Sequence, residues 1–589
     1  MQATVKKLGV WYKGQRRGSI TVLSAVVMVV LLMFVAFVAD VGYMIQTKTA
    51  IQSIADSAAL SAAMELNSSN DAAVVRTNAY NAARDIAAMQ SAGGQSQFYV
   101  DESQDLQFGR MDWNASTQTY TYSWGNQYTP YNVVKVTARC DQRPSANGAP
   151  GANQQLKLSF APVMGQSYAA VSASAIASFQ PRDFALALDF SGSMNDDSTF
   201  GAISKLGQSN IEANLNTMWG ELGAPVYGKL NFTPAYAVFK GVPLAGLVPH
   251  IDVTFKGTSI GVTSTSALTS VKLQFSNGAT QTFGSLSGLT GTFAGSGSNL
   301  GKTITNAWVK SGGNASLSAG SLGEAFAFAT SNIVSALGLS SVPYPYPSGS
   351  WTGYVTSMSS SGNSNSNAGY RWKFGAMNWI NYTQETYPSS ADSPNLWMTS
   401  EQPVGLLKDS VNLFIDNLIS FETEDKVGLS IYSHPNTAGA ILESGLTTNL
   451  TSLKTIVQHR QAGHYLGGTN ISAGMKVARD ELTANGNSRA SKYMILMTDG
   501  LPNLPTSTSV ATAAVIAEAN ACKAAKVKCL TISLGAGADT ALMQQVADIT
   551  EGTHYVVPGG SNIATYRSQL LDVFNQISKT RPLKLVSGN

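Results

Sequence analysis

The stretch Phe184–Asp197, FALALDFSGSMNDD, ends an apolar run in Asp189 and follows it with hydroxyls at Ser191 and Ser193. Two later segments carry matching chemistry. Thr469, in GGTN, stands just before a helical stretch, and Asp499 closes YMILMTDG. Two carboxylates and three hydroxyls, without imidazole or thiolate, form a hard oxygen set suited to one octahedral cation such as Mg2+ or Mn2+. So few charges would leave a coordination position for water or for an incoming carboxylate. Each residue also has a plain structural role: Asp189 and Asp499 as turn residues, Thr469 as a helix cap. Their common placement sets them apart, because each falls at the carboxyl end of a strand or the opening of a helix.

The elements that would position them follow from periodicity. Near-continuous apolar runs at 184–190, 427–432, 493–499 and 529–535 read as buried strands. Amphipathic helical patterns occupy 403–420, 470–484, 508–526 and 563–577. The alternation predicts an α/β fold with a doubly wound, mostly parallel sheet, whose ligand site lies beyond the carboxyl ends of the strands. After the first strand, however, the next helix waits until about residue 400, so residues 199–395 read as an insertion. Its middle is β-rich: VKLQFSNGATQTF carries Asn277-Gly278, a hairpin signal. PYPYP reads as a stiff spacer and SMSSSGNSNSNAG as a flexible loop.

The N-terminus speaks to location. Ile20–Ala39 contains no charge and no polar face, and its length matches the roughly 30 Å of a bilayer's hydrocarbon. Lys6, Lys7, Lys13, Arg16 and Arg17 precede it and Asp40 follows it. The charge asymmetry predicts a single-pass inner-membrane protein with residues 1–19 in the cytoplasm and the remainder exported. Helical spacing continues through Ile51, Ala58 and Ala62, predicting a stalk over 40–66. Residues 67–181 begin helical and turn strand-like, which predicts a small α+β domain. A net charge of +3 with only 12% charged residues supplies no basic face for nucleic acid. Cys522 and Cys529 read either as a disulfide or as two buried thiols, and no zinc spacing occurs. The five histidines (250, 434, 459, 464, 554) share no motif; His464 alone lies near the presumed site. Ser191 lacks a Gly-x-Ser-x-Gly setting, so an envelope hydrolase is disfavoured.

DFSGS, GGTN and MTDG within an α/β pattern resemble the von Willebrand factor type A domain and its metal-ion-dependent adhesion site, over 184–198 plus 396–580. The resemblance implies Asp189, Ser191 and Ser193 as first-loop ligands, Thr469 as the second and Asp499 as the third. RRGSI, one membrane helix, ADSAALSAAMEL, DLQFGRMDW and RWKFGAMNWINY are similar to Tad/Flp pilus-assembly proteins of the TadG-like kind. That implies an envelope protein serving pilus assembly or adhesion, with protein partners reached through an acidic side chain. The alternative it implies is a minor pilin or tip adhesin. Pilin-like relatives are cleaved after a Gly with Glu five residues on, whereas Leu23 stands five residues after Gly18. This departure favours an anchored accessory protein. A reporter fused after Ile577 should be active only outside the cytoplasm; activity inside it would contradict the charge reading.

Overall fold

The computed structural model describes residues 19–586 except 70, 115, 118, 143–152, 242–249, 313–320, 422–424, 434–438, 466, 536 and 559–562. The basic residues Lys6–Arg17, most of the Pro/Gly-rich stretch after Cys140, and His434 lie outside the described residues. The chain forms two compact units, residues 1–180 with 581–589, and residues 181–580.

In the first unit a single helix, α1 (Ser19–Met64), runs without a break. Its first half is apolar on every side and exposed; from Ile51 onward it buries Ile51, Ile54, Ala55, Ala58 and Ala62. Their partners are α2 (Ala72–Ala88), through Val75, Ala79, Ala83 and Ala87, and an antiparallel sheet. That sheet runs in the order β2 (Thr119–Trp124), β1 (Leu106–Asn114), β3 (Val133–Cys140), β4 (Val171–Phe179), and then the C-terminal strand Leu583–Val586. Small side chains let the two helices approach until Ser61 Oγ donates to the carbonyl of Ala82. The stalk expected over 40–66 is therefore no free rod. Its alanines are the core of the α+β unit, and the sequence pattern alone could not tell a stalk from a packed helix.

The second unit is built on a six-stranded sheet. In chain order its strands are β5 (Arg182–Asp189), β6 (Lys426–Tyr432), β7 (Ala440–Thr447), β8 (Ser491–Thr498), β9 (Val527–Leu534) and β10 (Thr553–Val557). In space they run β7-β6-β5-β8-β9-β10, all parallel except the β7 edge. Side chains alternate across β5: Phe184, Leu186 and Leu188 enter one layer, while Ala185 and Ala187 enter the other. The first layer is covered by α3 (Val404–Ser420), α4 (Leu450–Gln458) and α8 (Ile563–Lys579). The second is covered by α5 (Ile471–Ala484), α6 (Thr508–Ala524) and α7 (Thr540–Thr550). Strand order reverses between β5 and β8, the place at which sheets of this kind bind their ligands.

Between β5 and α3 stand two antiparallel sheets, of five and four strands, sharing one apolar core. Leu268–Phe275 and Thr280–Phe283 form the hairpin, with Gly278 in the left-handed region at φ 81°. The two segments read as spacer and flexible loop are instead packed. Tyr346 of PYPYP stacks on Trp379 with ring centroids 5.5 Å apart. The Ser/Asn stretch holds the end of helix Trp351–Ser359 and a short turn of helix, where Asn363 accepts from Ser366 N (2.9 Å) and donates to Ser357 O (2.7 Å). Its polar side chains satisfy its own backbone, so composition was a poor guide to order there. Cys140, Cys522 and Cys529 are all buried free thiols.

One clasp closes the second unit. Arg182, at the start of β5, is 1% exposed and donates to Asp425 Oδ2 through Nε (3.2 Å) and Nη2 (2.7 Å). Its Nη1 reaches the carbonyls of Thr580 (2.7 Å) and Ile577 (3.2 Å) at the end of α8, and Nη2 reaches Ser578 O (3.1 Å). A buried cation at a helix C-terminus is well placed for the exposed carbonyls. Asp425→Ala strands that guanidinium and should cost about 3–5 kcal/mol. Lys476→Ala, which removes an exposed pair with Asp480, should cost about 0–1 kcal/mol. Chemical denaturation of the two variants checks the contrast.

Candidate functional site

β5 and β8 end side by side, and their last residues meet. Asp189, fully buried, accepts from Ser191 N (2.9 Å) on one carboxylate oxygen and from Thr498 Oγ1 (2.8 Å) on the other. Ser191 Oγ lies 3.0 Å from Ser193 Oγ, and Ser193 Oγ donates to Asp499 Oδ1 at 2.9 Å. Four of the five residues singled out by sequence thus form one continuous polar array. Thr469 is not hydrogen-bonded into the array, but its hydroxyl borders the same glycine, Gly500, as Ser193 does. A Cβ placed on Gly500 would lie 3.6 Å from Ser193 Oγ and 4.0 Å from Thr469 Oγ1, so glycine keeps the space between those hydroxyls open. Thr469 is fixed from behind by Asn503, whose Oδ1 accepts from Thr469 N (2.9 Å) and whose N donates to Thr469 O (3.1 Å).

Neighbouring backbone sets the loop that bears Ser191 and Ser193. Gly463 N donates to the carbonyls of Phe190 (2.9 Å) and Ser191 (3.1 Å). Gly463 has φ 64°, and a Cβ there would press on Pro388 at 3.1 Å, so glycine is needed on both counts. The insertion holds the other side. Asn195 Nδ2 donates to Gln384 O (3.1 Å), and Asn381 Oδ1 accepts from Phe200 N (2.7 Å), both from helix Ala376–Thr386.

The electrostatics are unfavourable for bare carboxylates. Burial pushes the Asp189 carboxyl up to about 6. Burial, then the charge of Asp189, then those of Asp196 and Asp197, push Asp499 well above the usual carboxylate range. Among the described residues neither acid has an ion pair with Lys, Arg or His. No three His, Cys, Asp or Glu side chains converge to make a metal cluster among the described residues either. Any cation here would rest on two carboxylates and neutral hydroxyls. The donor set, the glycine-bounded space and the uncompensated acids fit a hard divalent ion such as Mg2+ or Mn2+.

His464 takes no part in this array. Its ring packs edge-on against Tyr465 (centroids 4.6 Å apart), its Nδ1 is buried without a partner, and burial lowers its pKa to about 4. Sequence reasoning missed Thr498, Asn503, Asn381 and Gln384. Thr498 had a signal, since it closes a near-continuous apolar run that reads as a strand buried on both faces; the asparagines and Gln384 act through tertiary contacts that no spacing marks.

Comparison with known proteins follows the same division. Residues 397–569 match the von Willebrand factor type A domain, and residues 18–65 match the family described as putative Flp pilus-assembly TadE/G-like. The chain therefore carries a TadE/G-like N-terminal segment and a von Willebrand factor type A domain. The matched range begins after β5, so Asp189, Ser191 and Ser193 fall outside it; the insertion separates the first strand in sequence from the sheet it centres in space. No curated protein gives a significant match. Among solved structures, an aerotolerance-related membrane protein from Bacteroides fragilis is similar at 16% identity, over 30% of this chain and 90% of that one, with TM-score 0.23. The pilus adhesin SpaC from Lactobacillus rhamnosus GG is similar at 16% identity, over 30% of this chain and 28% of that one, with TM-score 0.24. Proximal thread matrix protein 1 from the mussel byssus, with a zinc-occupied MIDAS motif, is similar at 16% identity, over 34% and 45%, with TM-score 0.24.

Thr498→Val removes the hydroxyl that faces Asp189 and keeps the shape. It should destabilise the protein by about 1–3 kcal/mol, the usual cost of an unsatisfied buried polar group, read as a lower denaturation midpoint with unchanged slope.

Proposed function

We propose that this protein is a membrane-anchored envelope component that assists Tad/Flp-type pilus assembly or surface adhesion. Its type A domain holds one divalent cation at Asp189, Ser191, Ser193, Thr469 and Asp499. The single observation behind this reading is the hydrogen-bonded array from Asp189 through Ser191 and Ser193 to Asp499, set at the point where strand order reverses. When bound, the ion would supply a Lewis-acidic position for an acidic group on a partner protein. The protein's own part is to hold five oxygens on rigid elements, to keep the space beside Gly500 clear, and to bury the acids so that their charge is poorly screened. The function is read as binding: Ser191 Oγ is engaged with Ser193, and His464, the histidine next to the Gly467–Thr469 loop, packs against Tyr465 with no bond to the array among the described residues.

The apolar first half of α1 would be the anchor, with the basic residues before it retained in the cytoplasm and both compact units exported. Mg2+ or Mn2+ titration of purified variants tests the site. Asp189→Ala or Asp499→Ala should abolish measurable binding, while Ser193→Ala should leave it weakened, because water can replace a neutral ligand. In a deletion strain, Asp189→Ala at normal protein level should lose piliation or surface attachment. Full attachment at normal level would reduce DFSGS to a turn after a strand.

A further inference from the structure

Asp40 is the first charged residue after the apolar stretch of α1, yet it is buried, and its carboxylate points at a distant loop. Its Oδ1 accepts from Ser159 N (2.9 Å), and Oδ2 accepts from Phe160 N (2.9 Å) and Ala161 N (2.6 Å). Three charge-assisted bonds therefore pin the loop Ser159–Gly165 at the depth of residue 40. The loop also closes on itself. Val163 N donates to Phe160 O, Gly165 N to Pro162 O and Gln166 N to Ala161 O, at 3.0–3.2 Å. Gly165, at φ 84°, ends its single helical turn.

What the loop presents outward is apolar. Val163 and Met164 are each 83% exposed and Phe160 is 49% exposed. A water-facing turn is ordinarily built from polar residues and glycine, and these three side chains contribute nothing to their own domain's core. On α1, Tyr43 and Ile45, three and five residues past Asp40, are exposed as well. The loop is suited to low dielectric in a second respect. Most of its backbone N–H groups are satisfied, three by Asp40 and others within the turn, which is the condition for entering an apolar boundary.

We propose that the loop Phe160–Met164 is a lipid-facing foot, seated in the headgroup and acyl boundary of the same bilayer that α1 crosses. The occupant is the membrane because the apolar patch is tied by three hydrogen bonds to Asp40, the residue at which the apolar stretch of α1 ends. Tyr43, three residues past Asp40 on α1, is the kind of amphipathic ring that favours this depth. The foot would set the tilt of the first unit on the membrane, which a lone helix leaves free. This inference rests on the reading of α1 as a membrane anchor.

The test uses the full chain with single cysteines labelled by a nitrobenzoxadiazole dye, in phosphatidylethanolamine–phosphatidylglycerol vesicles with and without doxyl-labelled lipid. The three native thiols are buried, and wild-type protein is the labelling blank. Val38→Cys lies within the apolar stretch, Val163→Cys lies on the foot, and Met89→Cys is an exposed site at the end of α2. Val163→Cys should be quenched by doxyl lipid to nearly the extent of Val38→Cys and should emit at shorter wavelength than Met89→Cys. If Val38→Cys is quenched while Val163→Cys matches Met89→Cys, the foot is overturned and the anchor stands. If Val38→Cys itself is unquenched, the anchor reading falls and takes the foot with it.

Discussion

Asp189 and Asp499 end neighbouring parallel strands, both withdrawn from water, and they repel one another across a narrow gap. Such a pair costs folding free energy, because burial disfavours each charge and proximity disfavours the second. The surroundings offset part of that cost with oriented dipoles: the amide of Ser191 and the hydroxyls of Thr498 and Ser193. They bring no counter-charge. Everything else at this end of the sheet keeps the two acids in place, which is the arrangement expected of a site completed by a cation from outside.

The long insertion makes that placement harder, and the structure meets the difficulty at three points. Arg182 fastens the base of β5 to Asp425 and to the carbonyl end of α8. At the top of the same strand, Asn195 and Phe200 are tied to helix Ala376–Thr386 inside the insertion. The returning segment completes the frame: Gln461 Nε2 donates to the carbonyls of Pro388 (2.7 Å) and Ser393 (3.0 Å), and Ala462 N donates to Glu401. The insertion is thus part of the scaffold of the first-loop serines, and movement within it would be felt at Ser191 and Ser193 first.

Much of this was legible in the sequence because its signals are local. Apolar runs such as YMILMTD could only be buried strands, and Asp-x-Ser-x-Ser at the end of one had a chemistry of its own. The unseen parts depend on contacts distant in sequence. The apolar run marks Thr498 as buried but does not reveal that its hydroxyl reaches Asp189 on the neighbouring strand. Ile51 and Ala58 look the same on a stalk as in a core, and the Ser/Asn stretch before Gly369 looks mobile until its own side chains are seen capping its turns. Asp40 was legible as a charge ending a membrane segment, but not as the acceptor for three amides well over a hundred residues away.

The central claim is that a divalent cation sits among these oxygens. Anomalous diffraction from crystals of residues 181–580 grown with Mn2+ measures this directly. The account predicts one strong peak within coordination distance of Ser191 Oγ, Ser193 Oγ and Asp499, on the side of Gly500 that the glycine leaves open. A peak held by other residues, or an ordered site with water alone between Asp189 and Asp499 at saturating Mn2+, would contradict it.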